Sequence, residues 1–133
     1  MTPLEYCAYK SAEMGEHNDC SVRAVTLACS VPYETAQLAL RIAGRQPRQG
    51  ALEHHIKRAV RSLGHNTGQY IRPKQASGSK YTPKTITKAY PQGRYLVYTR
   101  DHVFALVNGK VLDWTEGRRH HIIAVQQVLQ QEK

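Results

Sequence analysis

The part of this sequence that most constrains its fold is a pair of apolar runs joined by Asn108-Gly109. The first run covers residues 102–107 and the second covers residues 110–114, and both are rich in residues that favour strands. Asn-Gly is the preferred two-residue connection of a β-hairpin, because both turn residues must adopt positive φ angles. The sequence therefore predicts an antiparallel hairpin in the last third of the chain.

The predicted hairpin brings two polar residues onto one face. With a two-residue turn, Val107 faces Lys110, and Asp113 then lies opposite Phe104. His102 lies two residues from Phe104 on the same face, and such diagonal neighbours are about 7–8 Å apart at the backbone. This separation is within reach of a hydrogen bond between His102 and Asp113. An aspartate bound to one ring nitrogen fixes the histidine tautomer and leaves the other nitrogen free to act as a base.

The rest of the chain divides into helices followed by strands. Helical periodicity, capping residues and glycine stops predict helices at 4–14, at about 19–29, at about 32–44, at 51–63 and at 82–90. Further strands are predicted at 68–71, 94–99 and 121–125, followed by a terminal helix of Gln and Leu. This order predicts an α+β fold with a sheet of about four strands. Because both hairpin faces are apolar, the sheet should be buried on both sides, with the early helices over the His102 face and with Val103 and Trp114 in the core.

Composition places the chain among globular proteins. Its 133 residues suit one domain, expected to cover 1–133, and 41% hydrophobic with 22% charged residues is ordinary for such a domain. No run of about 18 apolar residues is present, so no membrane contact is expected. No signal peptide is recognisable, and three cysteines are an odd count, so we expect a cytoplasmic protein with reduced thiols. No cofactor is expected, and no metal site, because the cysteines lack paired ligand spacing.

Cys20 is the candidate nucleophile. It follows Asn18-Asp19, either of which can cap the predicted helix, so the thiol would lie in the first turn of that helix. The unpaired N–H groups and the dipole of a helix N-terminus favour the thiolate. The same N–H groups can stabilise the oxyanion that forms on an attacked carbonyl. Cys20, His102 and Asp113 would then supply the nucleophile, the base and the orienting acid of a thiol hydrolase, whereas Cys7 and Cys29 are expected to be apolar core residues.

This order of Cys, His and Asp, with the cysteine on an N-terminal helix, resembles the papain-like cysteine peptidase superfamily. The resemblance rests on Asn18-Asp19-Cys20-Ser21-Val22-Arg23-Ala24 and on the hairpin from residue 102 to residue 113. It is closer to small bacterial and phage members related to the double-glycine (bacteriocin-processing) peptidases. It implies N-terminal helices packed on a C-terminal antiparallel sheet, and a peptide or isopeptide substrate. It also implies Cys20 as nucleophile, His102 as general base and Asp113 as orienting acid. A phage-type effector would act in the host cytoplasm.

The sequence departs from the family pattern at one position. Members usually carry a glutamine several residues before the cysteine as an oxyanion donor, but Met14 stands six residues before Cys20. The side-chain amide of Asn18 is the candidate oxyanion donor instead, although helix capping competes for it. Loss of one such donor costs about 10²–10³-fold in rate. The alternative prediction is therefore a catalytically degenerate peptidase fold that acts as a basic binding protein.

The net charge of +9 is concentrated in the middle of the chain. Residues 41–88 contain eleven Lys and Arg residues against one acid, Glu53, which gives +10 and leaves −1 for the other residues. Such asymmetry favours an anionic partner, which is nucleic acid, an acidic protein or an anionic substrate, although a solvated surface has the same composition. Lys57, Arg58 and Arg61 share the polar face of the predicted fourth helix and are the candidate anion- or partner-binding residues. This helix and the preceding one would form a helix-turn-helix with a seven-residue connection, which is longer than usual.

Overall fold

The computed structural model describes residues 1–130, which form five helices and a five-stranded antiparallel sheet. The helices are α1 (Pro3–Glu13), α2 (Cys20–Cys29), α3 (Tyr33–Ala43), α4 (Glu53–Ser62) and α5 (Pro83–Ala89). The strands are β1 (His65–Thr67), β2 (Arg94–Thr99), β3 (His102–Val107), β4 (Lys110–Leu112) and β5 (Ile122–Gln130), in the spatial order β1-β5-β2-β3-β4. The predicted α+β class is confirmed, and the sheet has one strand more than expected.

The helices begin where local capping signals stand in the sequence. Thr2 and Thr82 each precede a proline, and their hydroxyl groups accept the N–H groups of Glu5 and Thr85 to cap α1 and α5. Asp19 is the N-cap residue of α2, so Cys20 is the first helical residue, as predicted. Within residues 1–130, no helix combines the length and the apolar character needed to cross a membrane.

Both faces of the sheet are buried, as the hairpin pattern predicts. One hydrophobic cluster joins α2, α3 and α4 to the sheet face that carries Val103 and Ala105. A second cluster joins α5 to the opposite face, which carries Phe104. The prediction that the early helices cover the face shared by His102 and Phe104 is therefore wrong, because Phe104 packs with α5. His102 is the first residue of β3 and lies at the end of the sheet, where it lines a cleft together with Cys20 of α2. Small residues such as Ala105 and Ala124 let the helices approach the sheet closely on the face that they do cover.

The hairpin has the predicted register. Val107 pairs with Lys110, and Asn108 and Gly109 have φ angles of 50° and 77°, as a primed turn requires. The second strand ends at Leu112 rather than at residue 114, because the chain bends at the next residue. Val103 is buried as expected, but Trp114 is 57% exposed, so its assignment to the core is wrong. The bend takes the indole off the sheet ladder and away from both hydrophobic clusters.

The C-terminal part of the sheet differs from the prediction in length. We predicted a strand at 121–125 followed by a helix, whereas β5 continues through Gln130. β5 pairs with β1 on one side and with β2 on the other. These two hydrogen-bonded neighbours override the helix propensity of its Gln and Leu residues. Residues 131–133, which the predicted helix includes, lie outside the described residues.

The strand predicted at 68–71 lies three residues earlier, at β1. β1 pairs with the end of β5, and the N–H of Gly68 continues this pairing by donating to the carbonyl of Gln127. Only Ile71 of the predicted strand returns to the sheet, in a single bridge to Val125. A segment close to the predicted one therefore joins the sheet, but its paired residues are 65–67 and not 68–71.

Candidate active site

His102 and Asp113 lie at the same end of the sheet, because β3 begins at one and β4 is followed by the other. The Nε2 atom of His102 is 2.8 Å from the Oδ2 atom of Asp113, and the predicted hydrogen bond is therefore present. The two side chains are only 16% and 10% exposed. Because the carboxylate engages Nε2, the ring nitrogen that remains for a further partner is Nδ1.

Asp113 is itself held by a residue that sequence reasoning missed, Thr115. The Oδ2 atom of Asp113 accepts the Thr115 hydroxyl at 2.6 Å and the Thr115 backbone N–H at 3.2 Å. Thr115 is 1% exposed, so water does not compete for these bonds. The sequence signal was an Asp-x-Thr turn directly after a strand, since short polar side chains commonly bond the backbone two residues away.

Cys20, in the first turn of α2, lines the same cleft as His102 and Asp113, and its thiol interacts with the ring of His102 closely enough to shift the pKa of both groups. Burial opposes ionisation of the thiol. Hydrogen bonds from His102 and from the backbone N–H groups of Val103 and Ser21, together with the charge of the ring, outweigh burial and lower the pKa of Cys20 below its usual value. The site thus favours the thiolate.

The imidazole of His102 is correspondingly easier to protonate. Burial favours the neutral ring, but the hydrogen bonds to Asp113 and Cys20 and the charges of both groups raise the pKa of His102 to about 9. The two pKa shifts have opposite directions, so the site favours a thiolate beside an imidazolium more than water does. This pair is the state in which a cysteine nucleophile is activated.

The other two cysteines have a different environment. Cys7 is 1% exposed and Cys29 is 4% exposed, and both belong to the protein interior, as predicted. Burial raises the pKa of Cys7 to about 11 and that of Cys29 to about 12. Of the three thiols, only Cys20 is stabilised as an anion.

The Cys20–His102 pair opens into a cleft of about 880 Å³, a size typical of ligand sites. Leu52 and Glu53, at the start of α4, form part of one side of this cleft. Trp114 also lines the cleft, and its ring centroid is 5.4 Å from that of His102. The exposed indole therefore belongs to the cleft and not to the core.

Asn18 lines the cleft, but its side chain already has a partner. Its Nδ2 atom donates to the backbone carbonyl of Arg48 at 3.3 Å, and its φ angle is 52°. The N-cap position belongs to Asp19, so the competition that we expected from helix capping comes from Arg48 instead. The Asp19 side chain does not cap the helix either, since it accepts the hydroxyl of Tyr33 at 2.5 Å. The backbone N–H of Cys20, in the first turn of the helix, is the further donor available for an oxyanion.

A buried ion pair fixes the loop that precedes Cys20. The guanidinium of Arg45 donates to both carboxylate oxygens of Glu16, at 3.0 and 3.1 Å, and both side chains are only 2% exposed. Glu16 also accepts the amide of Gln37 and the backbone N–H of Arg48. This network ties the α3–α4 connection to the loop before α2, and so positions the wall of the cleft that contains Asn18.

The predicted basic residues lie on α4, outside the cleft. Arg58 and Arg61 are exposed and Lys57 is half-buried, and none of the three lines the cleft. None forms an ion pair among the residues that the structure describes. They do not join the Cys20 site.

The fold and the site together define an α+β protein in which Cys20, His102 and Asp113 lie together at one end of the sheet. Comparison with known protein families, with curated proteins and with solved structures finds no match to this chain. Within the described part of the chain, no three or more His, Cys, Asp or Glu side chains are grouped so as to hold a metal ion.

Proposed function

We propose that the protein is a thiol hydrolase with a papain-like fold, and that it cleaves a peptide or isopeptide bond with Cys20, His102 and Asp113. The observation that carries the proposal is the 2.8 Å bond from Asp113 to Nε2 of His102, which leaves Nδ1 for the Cys20 thiol. A low-pKa thiol beside a carboxylate-bound imidazole is the arrangement that nucleophilic catalysis by cysteine requires.

The proposed reaction has two halves. The Cys20 thiolate attacks the carbonyl carbon, and the backbone N–H of Cys20 stabilises the oxyanion. The imidazolium of His102 then gives its proton to the leaving amine as the C–N bond breaks, which leaves an acyl group on sulfur. In the second half His102 takes a proton from water, the resulting hydroxide attacks the thioester, and the thiolate leaves as the acid is released.

Asp113 and Thr115 act in this scheme without touching the substrate. The Asp113 carboxylate holds the ring with Nε2 bound and Nδ1 directed at the thiol. Thr115 supplies two of the three donors to Oδ2, so the carboxylate is already oriented before a substrate arrives. Thr115 is a positioning residue, because it acts through Asp113.

A peptide library tests the proposal. The wild-type protein should generate new amino termini in a mixed peptide library, detected by mass spectrometry, and Cys20→Ser should generate none. Because Cys→Ser barely changes the volume, the free energy of unfolding should stay within about 1 kcal/mol of wild type. Cys7→Ser and Cys29→Ser are matched controls that should retain cleavage. Cleavage that persists in Cys20→Ser, or no cleavage by wild type of either peptide or isopeptide bonds, would contradict the proposal.

The second candidate function is a degenerate peptidase fold that binds a host acidic protein or nucleic acid. Two observations favour it. The side-chain amide of Asn18 donates to the carbonyl of Arg48 and so is less available to an oxyanion. In addition, Arg58 and Arg61 of α4 are exposed and have no carboxylate partner among residues 1–130. A functional assay in cells separates the candidates, because the binding function survives Cys20→Ser and is lost on charge reversal of these α4 residues. Binding to nucleic acid should also weaken steeply between 50 and 200 mM salt.

The proposed compartment is the cytoplasm, or the host cytoplasm if a phage encodes the protein. A thiolate nucleophile works only while it is reduced, and the cytoplasm keeps exposed thiols reduced. A full-length fluorescent fusion should therefore distribute through the cytoplasm and label with a thiol reagent there.

A further inference from the structure

A second cavity, of about 440 Å³, lies beside the candidate active site. Its charged and titratable lining residues are all basic: Lys80, Arg100, Arg119, His120 and His121. We refer to the cavity lined by these residues as the cationic pocket. Its remaining lining residues are Thr99 and Ile123, so no carboxylate faces the cavity.

The basic residues of the cationic pocket come from three separate parts of the chain. Lys80 ends the loop before α5, Arg100 is in the β2–β3 turn, and Arg119 is in the segment that leads to β5. Lys80 belongs to the basic segment 41–88, whereas Arg100 and Arg119 lie in the remainder of the chain, whose net charge is only −1. The fold alone brings these cations together.

The charges of the pocket have no partner within the described chain. Lys80, Arg100 and Arg119 are exposed, and none of the ion pairs among residues 1–130 includes them. Like charges gathered in one concavity repel each other and raise the local concentration of anions. Guanidinium groups bind carboxylates through two parallel hydrogen bonds, so two arginines at one cavity suit acidic side chains.

The cationic pocket adjoins the cleft that contains Cys20. Thr99 lines both cavities. The ring of Trp114 lies 5.4 Å from that of His102 in the cleft and 5.4 Å from that of His120 in the pocket, measured between centroids. His102 and His120 are therefore at most about 11 Å apart, which is the span of about three residues of extended chain.

We propose that the cationic pocket binds acidic side chains of the polypeptide substrate, about three residues from the bond presented to Cys20. This inference rests on the proposed function, which makes the substrate a polypeptide. The binding of acidic side chains can nevertheless be measured without hydrolysis. It gives the substrate a class: a polypeptide with Glu or Asp residues close to the scissile bond. A carboxylate in the pocket neutralises part of the repulsion among Lys80, Arg100 and Arg119.

The test is a binding measurement on the full-length Cys20→Ala protein, which cannot cleave what it binds. The probe is a fluorescent Ala/Ser/Gly peptide with three consecutive Glu residues, and the control peptide has three Gln residues. At 150 mM salt we expect the Glu peptide to bind at least tenfold more tightly than the Gln peptide. Adding Arg100→Gln and Arg119→Gln should weaken the Glu peptide at least tenfold.

A charge-matched control protein carries Arg41→Gln and Lys110→Gln, two exposed residues that line neither cavity. It should bind the Glu peptide like the Cys20→Ala protein. Equal weakening in both double variants overturns the proposal, because it shows a general effect of net charge. A single-stranded oligonucleotide that binds more tightly than the Glu peptide, and loses affinity on substitution of Arg100 and Arg119, also overturns it in favour of nucleic acid. Failure of the proposed function would give a different result: the Cys20→Ala protein would bind the Glu peptide, but the wild-type protein would not cleave a library of Glu-containing peptides.

Discussion

Replacing Asp113 with Asn separates the charge of this residue from its hydrogen-bonding geometry. The Thr115 hydroxyl and N–H both donate to the Oδ2 position, so an amide at 113 should place its oxygen there and its NH₂ group on the other side. His102 can still donate from Nε2 to that oxygen, and the tautomer is kept. We therefore expect Asp113→Asn to remove a negative charge and to leave the ring in place.

The size of the effect follows from the pKa of His102. Its rise from 6.5 to about 9 corresponds to roughly 3 kcal/mol, and the bond to Asp113 is the largest of the causes that raise it. We expect the pKa of His102 to fall by at least about 1 in Asp113→Asn, which is about 1–2 kcal/mol. Because this stabilisation belongs to the protonated ring, it is fully present below pH 6.5 and is lost as the pH rises through about 9.

The measurement is an NMR titration of ¹³C-labelled histidine in wild type and in Asp113→Asn, together with urea unfolding at pH 6 and pH 9.5. The variant should be less stable than wild type at pH 6, and the difference should shrink at pH 9.5. Adding Thr115→Val removes the hydroxyl that would orient the amide of Asn at position 113. The double variant should therefore alkylate at Cys20 more slowly than Asp113→Asn alone. An unchanged pKa of His102 in Asp113→Asn would show that the negative charge of the carboxylate does not cause the raised pKa of His102.

Three further predictions concern the site and its support. Glu16→Gln leaves the buried Arg45 charge unpaired and should lower the free energy of unfolding in urea at pH 7 by about 3–5 kcal/mol. Burial opposes ionisation of Glu16, but Arg45 and the other donors hold its pKa at about 2. The stabilisation of the wild type by this carboxylate should therefore fade as the pH falls from 4.5 towards 2. Thr115→Val should slow alkylation of Cys20 at pH 6, whereas Thr115→Ser, which keeps the hydroxyl, should restore it to the wild-type rate. The rate of peptide cleavage should rise with pH through the lowered pKa of Cys20 and fall through about 9, where His102 loses its proton; a rate that keeps rising above pH 9 would contradict this order.

The parts of the site that the sequence predicted are those set by local rules. The register of the hairpin follows from Asn108-Gly109 alone, and that register brings His102 and Asp113 within hydrogen-bonding distance. The position of Cys20 follows from the capping residue just before it. Each of these inferences needs only a few neighbouring residues.

The parts that the sequence did not predict depend on contacts between distant segments. The sheet face that α2 covers carries Ala105 and Ala124, and this face is defined only once β2, β3 and β5 are paired. Trp114 appears apolar enough for the core, but one bend at Asp113 moves it into the cleft. The terminal Gln and Leu residues favour a helix locally, and two strand neighbours hold them in β5.

The functional residues show the same division. The role of Thr115 could have been predicted from the local Asp-x-Thr pattern, because its hydrogen bonds to Asp113 span only two residues. The pairing of Asn18 with Arg48 joins residues thirty positions apart and has no local signal. The cationic pocket likewise gathers Arg100 and Arg119 from two separate segments, and no local pattern predicts that they lie close together.

The stabilisation of the Cys20 thiolate by His102 can be measured from the pH dependence of alkylation. In a Cys7→Ser, Cys29→Ser background, Cys20 is the only thiol, and its rate with iodoacetamide can be followed from pH 5 to pH 10. We predict a midpoint below that of an ordinary thiol, which lies at about 8.5, and a shift of the midpoint to higher pH when His102→Ala is added. Superimposable curves for the two proteins would contradict the proposed thiolate–imidazolium pair, because they would show that His102 does not lower the pKa of the Cys20 thiol.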